Sequence, residues 1–288
     1  MLGAIALSTL RVYSQASAQQ LREMAIKATA LDTANANRER NMAYREQVLT
    51  RDFDSSGKTR WERAKVHDVL LVDESPQRML LEEDGKPMTG EAMKGQQDFL
   101  RRVIDIRKGE SKSQRDSRIA AFDKKHREYR DAIAELPDAF DFTADGEETI
   151  EGRVCQRMRV SPRAGFVPKN RYGKIFTQTE GRLWIDKQTG EWRRAEGTVR
   201  ETVNLGWVFA QVYKGTTARV EQQPFPQAGW MMSSLWYRGV VRVGLFVHYR
   251  REQMASYWDY RPMTDAILED ALKTGYPKGT LRSPGRAK

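Results

Sequence analysis

The 288-residue chain contains one cysteine, Cys155, and three histidines, His67, His126 and His248. A single thiol excludes an internal disulfide framework and any Cys-rich zinc or iron–sulfur centre. The three histidines lie far apart in sequence and leave little for a His-based metal site. No apolar run reaches the length needed to cross a bilayer, so no membrane-spanning helix is predicted. The phosphate-binding G-x-x-x-x-G-K-[ST], the dinucleotide G-x-G-x-x-G, the nucleophile elbow G-x-S-x-G and the zinc motif H-E-x-x-H are all missing. Ser55-x-x-Lys58 matches a Ser–Lys pattern by letters only, in a turn where nothing would bury the lysine. Glu82-Glu83 and Glu147-Glu148 would point to opposite strand faces, which makes poor general acid/base pairs. No catalytic residue, cofactor or metal is expected. An envelope hydrolase is the least favoured reading, resting only on unassigned Asp, Glu and His.

What the chain does contain is charge and aromatic surface. Seven Trp, ten Tyr and ten Phe exclude wholesale disorder, although 31% of residues are charged and 39% hydrophobic. A chain of this length can bury about three quarters of its unfolded surface, enough for a core without staples. The net charge is +10. Eleven Lys or Arg face six acids between Arg101 and Asp131, and the tail after Asp270 carries five cations and no acid. Such a balance favours anionic partners, including a membrane surface met through the basic insert and tail. The basic helices carry no recognition motif and no aromatic–basic sheet signature, so nucleic acid is not an expected partner.

Leu2–Leu10 followed by Ala16-Ser17-Ala18 reads as a signal peptide cut before Gln19, although no Lys or Arg precedes the apolar run. Export to the bacterial periplasm is the expectation. Gln19–Ala36 reads as an amphipathic helix with Leu21, Met24, Ala28 and Leu31 on one stripe. Tyr44–Phe53, Thr59–Val72 and Arg78–Glu83 read as strands separated by turn clusters. Lys86–Leu136 reads as a helical insert broken at Gly109–Ser113. Its first helix carries Phe99, Leu100, Val103 and Ile104, and its second carries Ile119, Phe122, His126, Tyr129 and Ile133. His126 is expected to pack half-buried there, and Cys155 to sit on a polar strand face. Strands return at Phe140–Ala144, Thr149–Ser161, Gly181–Asp186, Glu191–Val203, Leu205–Tyr213, Thr217–Gln223, Trp230–Val243 and Leu245–Trp258. Thr264–Leu272 reads as a short helix before a basic, disordered tail. Sequential antiparallel strands with segregated helices predict an α+β fold built on one large curved sheet.

Two blocks carry a resemblance. The first is Gly146-Glu147-Glu148-Thr149-Ile150-Glu151-Gly152-Arg153. The second is Gly181-Arg182-Leu183-Trp184-Ile185-Asp186, continuing through Lys187 and Thr189-Gly190 to Trp192-Arg193-Arg194. Together they resemble the W-I-D hairpin of LolA/LolB-like outer-membrane lipoprotein-sorting proteins. Tyr44-Arg45-Glu46, Asp84-Gly85-Lys86-Pro87 and Tyr257-Trp258-Asp259-Tyr260 resemble pieces of a bacterial branch of that superfamily. The resemblance covers roughly residues 19–262. It implies a half-barrel whose concave face, closed by helices, binds acyl chains of lipoproteins or related lipids without catalysis. Residues 1–18 would then be the signal peptide, 19–262 one lipid-binding domain with its insert at 86–137, and 263–288 a short helix and tail. The charged insert and the basic tail have no counterpart placed in the family. No residue matches by motif the arginine that holds the family's lid shut.

On this reading the cavity candidates are Trp61, Val69, Leu71, Leu183, Ile185, Val199, Trp207, Phe209, Leu235, Tyr237 and Val241. Each could equally be ordinary core. Leu183 and Ile185 share a strand face, as do Leu235, Tyr237 and Val241. The expected ligand is an acyl lipid or lipoprotein. The second reading is an envelope-stress sensor or interaction module on the same fold, meeting an envelope protein through Gly95–Arg130 and the tail.

Overall fold

A computed structural model describes residues 16–205, 210–243 and 247–275. Helix α1 (Ala18–Glu39) opens the described chain and leads into β1 (Met42–Phe53), β2 (Thr59–Val72), β3 (Ser75–Glu83) and the two-residue β4 (Lys86–Pro87). Helices α2 (Gly90–Gly109), α3 (Lys112–Ala134) and α4 (Leu136–Ala139) follow. The second run of strands is β5 (Phe140–Ile150), β6 (Arg153–Pro162), β7 (Thr179–Asp186), β8 (Trp192–Val199), β9 (Val203–Asn204), β10 (Ala210–Val212), β11 (Thr217–Phe225), β12 (Gly229–Val243) and β13 (Val247–Pro262). Short α5 (Gly173–Phe176) lies between β6 and β7, and α6 (Asp265–Thr274) closes the described chain.

The long strands form one antiparallel sheet in the order β4-β3-β2-β1-β13-β12-β11-β8-β7-β6-β5. The last long strand therefore returns to pair with the first, and the fold is α+β on a single open sheet. Local chemistry sets the helix starts. Ser17 caps α1, accepting from the Gln20 amide at 3.2 Å while Gln20 accepts from the Ser17 amide at 2.8 Å. Ser111 and Gln114 repeat this reciprocal cap at α3. Pro137 lies one turn beyond α3, where it cannot extend that helix.

The sheet is curled, and α3 demonstrates it. At its start, Arg115 and Arg118 hold the β2–β3 turn through Asp73, at 2.9 and 2.5 Å, with Arg118 also on Glu110 at 2.7 Å. Near its end, Glu128 meets Arg171 at 3.1 Å, and its carbonyl accepts from Asn170 at 2.9 Å in the loop after β6. Strands β2 and β6 are seven positions apart, roughly 34 Å in a flat sheet. The helix between Arg115 and Glu128 spans about 20 Å. Only a curled sheet brings both anchors within its reach. Gly181 and Gly197 face each other across β7 and β8, and a Cβ on Gly181 would fall 1.8 Å from the Glu196 carbonyl oxygen. Glycine is required where the two backbones approach so closely.

The two faces are covered differently. On the convex face, α2 and α6 pack over β1–β3, burying Leu70, Met79, Leu81, Met93, Leu100 and Trp258. Val103 and Ile104 join that cluster, whereas Phe99 turns outward at 43% exposure, so the expected four-residue stripe is split. Beyond α2, the convex face of β5–β8 and β11 carries paired charges, such as Arg157–Asp145 at 3.0 Å, Arg194–Glu221 at 2.6 Å and Arg219–Glu196 at 2.7 Å. On the concave face, α1 packs over β5–β7, burying Leu21, Ala25 and Ala28 against Phe140, Phe142, Met158 and Ile185.

Two expectations are corrected here. His126 is exposed, its ring against Phe122 with centroids 3.9 Å apart, because it projects from the outer side of α3. Cys155 is fully buried with Ile150 and Trp184 rather than on an open polar face, and burial pushes its thiol up to about 11. A thiol so placed is structural.

Candidate functional site

Strand register builds the site. Across the concave face, Lys65 on β2 stands opposite Val48 on β1, and Val48 opposite Ala255 on β13. Ala255 faces Leu235 on β12, and Leu235 faces Val220 on β11. The row continues through Ala195 on β8, Leu183 on β7, Met158 on β6 and Ala144 on β5. Every member after Lys65 is apolar. Directly opposed residues share a face, so the row beyond Lys65 is a continuous apolar strip across eight strands.

Helix α1 covers only one end of this strip. Met158 is buried beneath it, with Leu183 and Ala144 packed against the same cluster. Ala195, Val220, Leu235 and Val48 are half-buried and belong to none of the core clusters. Together with Ala255, itself buried in the sheet, this part outside the α1 cluster spans five strands, about 19 Å.

At its β2 end the strip opens into a groove of about 360 Å³. Val48, Trp61 and Tyr257 provide apolar walls, and Arg63, Lys65, His67, Arg78 and Arg251 surround them, with Glu46 the acid in the lining. Period-two alternation places Trp61, Arg63, Lys65 and His67 on one side of β2. Glu46 is nearly buried and meets Arg78 at 2.7 Å and His67 at 3.2 Å. Burial pushes its carboxyl up, but the hydrogen bonds from His67 and Arg78 outweigh that and hold it below the usual glutamate value.

The sequence-based candidates divide along this geometry. Trp61 lies in the groove at 43% exposure. Val69 is fully buried and Leu71 half-buried further along the same side of β2. Leu235 lies on the uncovered strip, and Tyr237, two residues on, donates from its hydroxyl to the Gln253 side chain at 3.2 Å. Leu183 and Ile185 lie beneath α1, and Val199 is buried at the end of β8. Val241 is placed by backbone register opposite Val212 and Tyr249, and Trp207 and Phe209 lie outside the described residues. The groove cations were not among the candidates. Their signal in the sequence is the alternation Trp61-x-Arg63-x-Lys65-x-His67.

Of the motif residues that carried the resemblance, Glu46 and Tyr257 line the groove and those of the β7–β8 hairpin turn are scaffold. Asp186 is buried at the β7–β8 turn, where it accepts from the Gln188 and Thr189 amides at 3.0 and 2.8 Å and from Arg153 at 2.6 Å. Burial alone would raise its pKa, yet these bonds lower it. Trp184 donates to Glu148 at 2.9 Å. The fragments around Tyr44 and Tyr257 become neighbours, with Arg45 opposite Trp258 and Glu46 opposite Tyr257. Ser55 and Lys58 occupy the exposed β1–β2 turn organised by Asp54. Among the described residues, no three His, Cys, Asp or Glu side chains gather as metal ligands, and no helix is long and apolar enough to cross a membrane.

No family model and no curated protein matches the sequence. Among solved structures, the chain is similar to a DUF1329 family protein from Desulfovibrio piger, at 11% identity and TM-score 0.32 over 89% of this chain and 97% of that one. It is also similar to the LolA superfamily protein NE2245 from Nitrosomonas europaea, at 11% identity and TM-score 0.30 over 88% and 97% of the two chains. A third is a Vibrio parahaemolyticus domain described as an outer membrane lipoprotein-sorting protein, at 10% identity and TM-score 0.28 over 86% and 99%. The architecture is the curved antiparallel α+β sheet expected from the sequence.

Proposed function

We propose that the protein is a non-catalytic, exported binding protein that takes an acyl chain, of a lipid or of a lipoprotein, along the uncovered apolar strip of its concave face. The strip is the observation that carries this reading. Val48, Ala255, Leu235, Val220 and Ala195 are aligned by register on five adjacent strands; none packs in the α1 cluster, and all but the buried Ala255 are only half-buried. A surface of this kind suits a flexible hydrocarbon chain better than a shape-specific solute. Each CH₂ moved from water onto it contributes about 0.8 kcal/mol, so partial burial of one chain gives useful affinity without a polar constellation. The Ala16-Ser17-Ala18 pattern supports export.

The test is Leu235→Asp, which puts a carboxylate in the middle of the strip. Uptake of a fluorescent fatty acid should fall at least tenfold while the circular dichroism spectrum and the unfolding transition persist. Unchanged uptake by the folded variant would refute the reading.

A further inference from the structure

We propose that the groove at the β2 end of the strip holds the anionic, phosphate-bearing headgroup of the same amphiphile, with Arg63 and Lys65 as its ligands and Trp61 seated at the junction of headgroup and tail. This rests on the acyl-binding reading and adds the class of lipid.

Three observations carry it. The first is continuity. Lys65 is the residue opposite Val48, so the apolar row runs directly into the cations with no intervening acid. An amphiphile lying along the strip would therefore bring its polar end to Lys65 and to Arg63 two residues away.

The second is how those cations are held. Some guanidiniums are tied by short bonds, as Arg118 is to Glu110 at 2.7 Å and Arg261 to Asp68 at 2.6 Å. In the groove itself Arg78 is committed to Glu46 at 2.7 Å. Arg63 and Lys65 instead share a single carboxylate, Glu83, at 3.6 and 3.5 Å. Two cations at long range from one acid leave a positive surplus on a concave wall, and an incoming phosphate can accept charge-assisted bonds from both.

The third is Trp61. It is 43% exposed and lies between two guanidiniums, with Arg63 5.9 Å and Arg251 5.7 Å from its ring centroid. Tryptophan favours a boundary where one side is apolar and the other wet and charged. Here that boundary is the end of the strip.

The experiment uses the full chain with two lipids of identical acyl chains, phosphatidic acid and diacylglycerol, and with inorganic phosphate alone. Bound ligand per chain is read by native mass spectrometry, and affinity by quenching of Trp fluorescence. The expected result is that phosphatidic acid binds about tenfold more tightly than diacylglycerol, in line with loss or gain of one charge-assisted contact. The Arg63→Gln/Lys65→Gln double variant should lose that preference while binding diacylglycerol as the parent does. Inorganic phosphate alone should not bind at millimolar concentration. Equal affinity for the two lipids, or a preference that survives in the double variant, would overturn the headgroup assignment and leave acyl binding standing. Phosphate binding as tightly as phosphatidic acid would make the groove a free-anion site and overturn the amphiphile proposal. Binding of neither lipid would overturn both readings.

Discussion

The concave face has two halves that share one sheet and one strand geometry yet differ in what covers them. Over β5–β7, α1 supplies Leu21, Ala25 and Ala28, and the sheet answers with Phe140, Phe142, Met158 and Ile185, all buried. Over β1, β2, β12 and β13 the sheet offers Val48, Leu235 and Trp61, and none of these three side chains belongs to the cluster that α1 buries. The covered half is core. The open half is apolar surface, half-buried except at the buried Ala255, and bounded by Arg63, Lys65 and Arg251. One apolar row is thus core where α1 packs on it and half-buried surface beyond, and it is that second part to which ligand binding is proposed.

The sharpest way to break that comparison is to put the same charge into each half. Ile185→Asp places a carboxylate at a fully buried position under α1. It should destabilise by about 4 kcal/mol or more, enough to abolish a cooperative melt. Leu235→Asp should cost far less stability, below about 1.5 kcal/mol, and remove ligand uptake instead. Equal losses of stability would erase the distinction between the halves.

Acidity sharpens the picture at the end of α1. Glu39 lies at the helix C-terminus near Asp32, and burial first, then the Asp32 charge, push its carboxyl up from 4.5 to about 7. Its folded value exceeds its unfolded one, so the neutral form is favoured in the fold. The contribution is therefore fully present below pH 4.5 and is lost as pH rises to about 7. Thermal melts should show stability falling across that window, by up to about 3 kcal/mol. Glu39→Gln should flatten the fall and raise stability at pH 8. An unchanged pH profile in the variant would remove Glu39 from this role.

The smallest effect concerns the helix start. Ser17→Ala removes the cap of α1 and should lower stability by about 1 kcal/mol, readable in denaturant titration. Cleavage before Gln19 would remove the same cap, so a chain beginning at Gln19 should match the Ser17→Ala variant in stability.

Much of the fold was legible because its signals are local. Thr59–Val72 is a strand at the bounds read from sequence, and the Gly181–Asp186 and Trp192 hairpin lies where its turn residues place it. The start of β3 was read three residues late. Its turn is Asp73-Glu74, two non-glycine residues at φ 47° and 63°, which carry no glycine signal. The gap read between Phe140–Ala144 and Thr149 is a register shift inside one strand, between Ala144 and Glu147. The inner face of β2 was not assignable, because both sides carry apolar residues. Val66, Leu70 and Val72 pack toward α2, while Trp61, Val69 and Leu71 lie on the other side. The strip itself is invisible in any one segment. Its members come singly from eight strands spread from residue 48 to residue 255, and only register assembles them.

The central claim is that the open half of the concave face holds an acyl chain. The direct measurement is native mass spectrometry of the full chain purified gently from a membrane-bearing host, with the released lipid identified, alongside Leu235→Asp and a conservative Leu235→Met control. The account predicts one stoichiometric acyl lipid on the parent and the control and none on Leu235→Asp. A lipid-free parent, or equal lipid on Leu235→Asp, would contradict it.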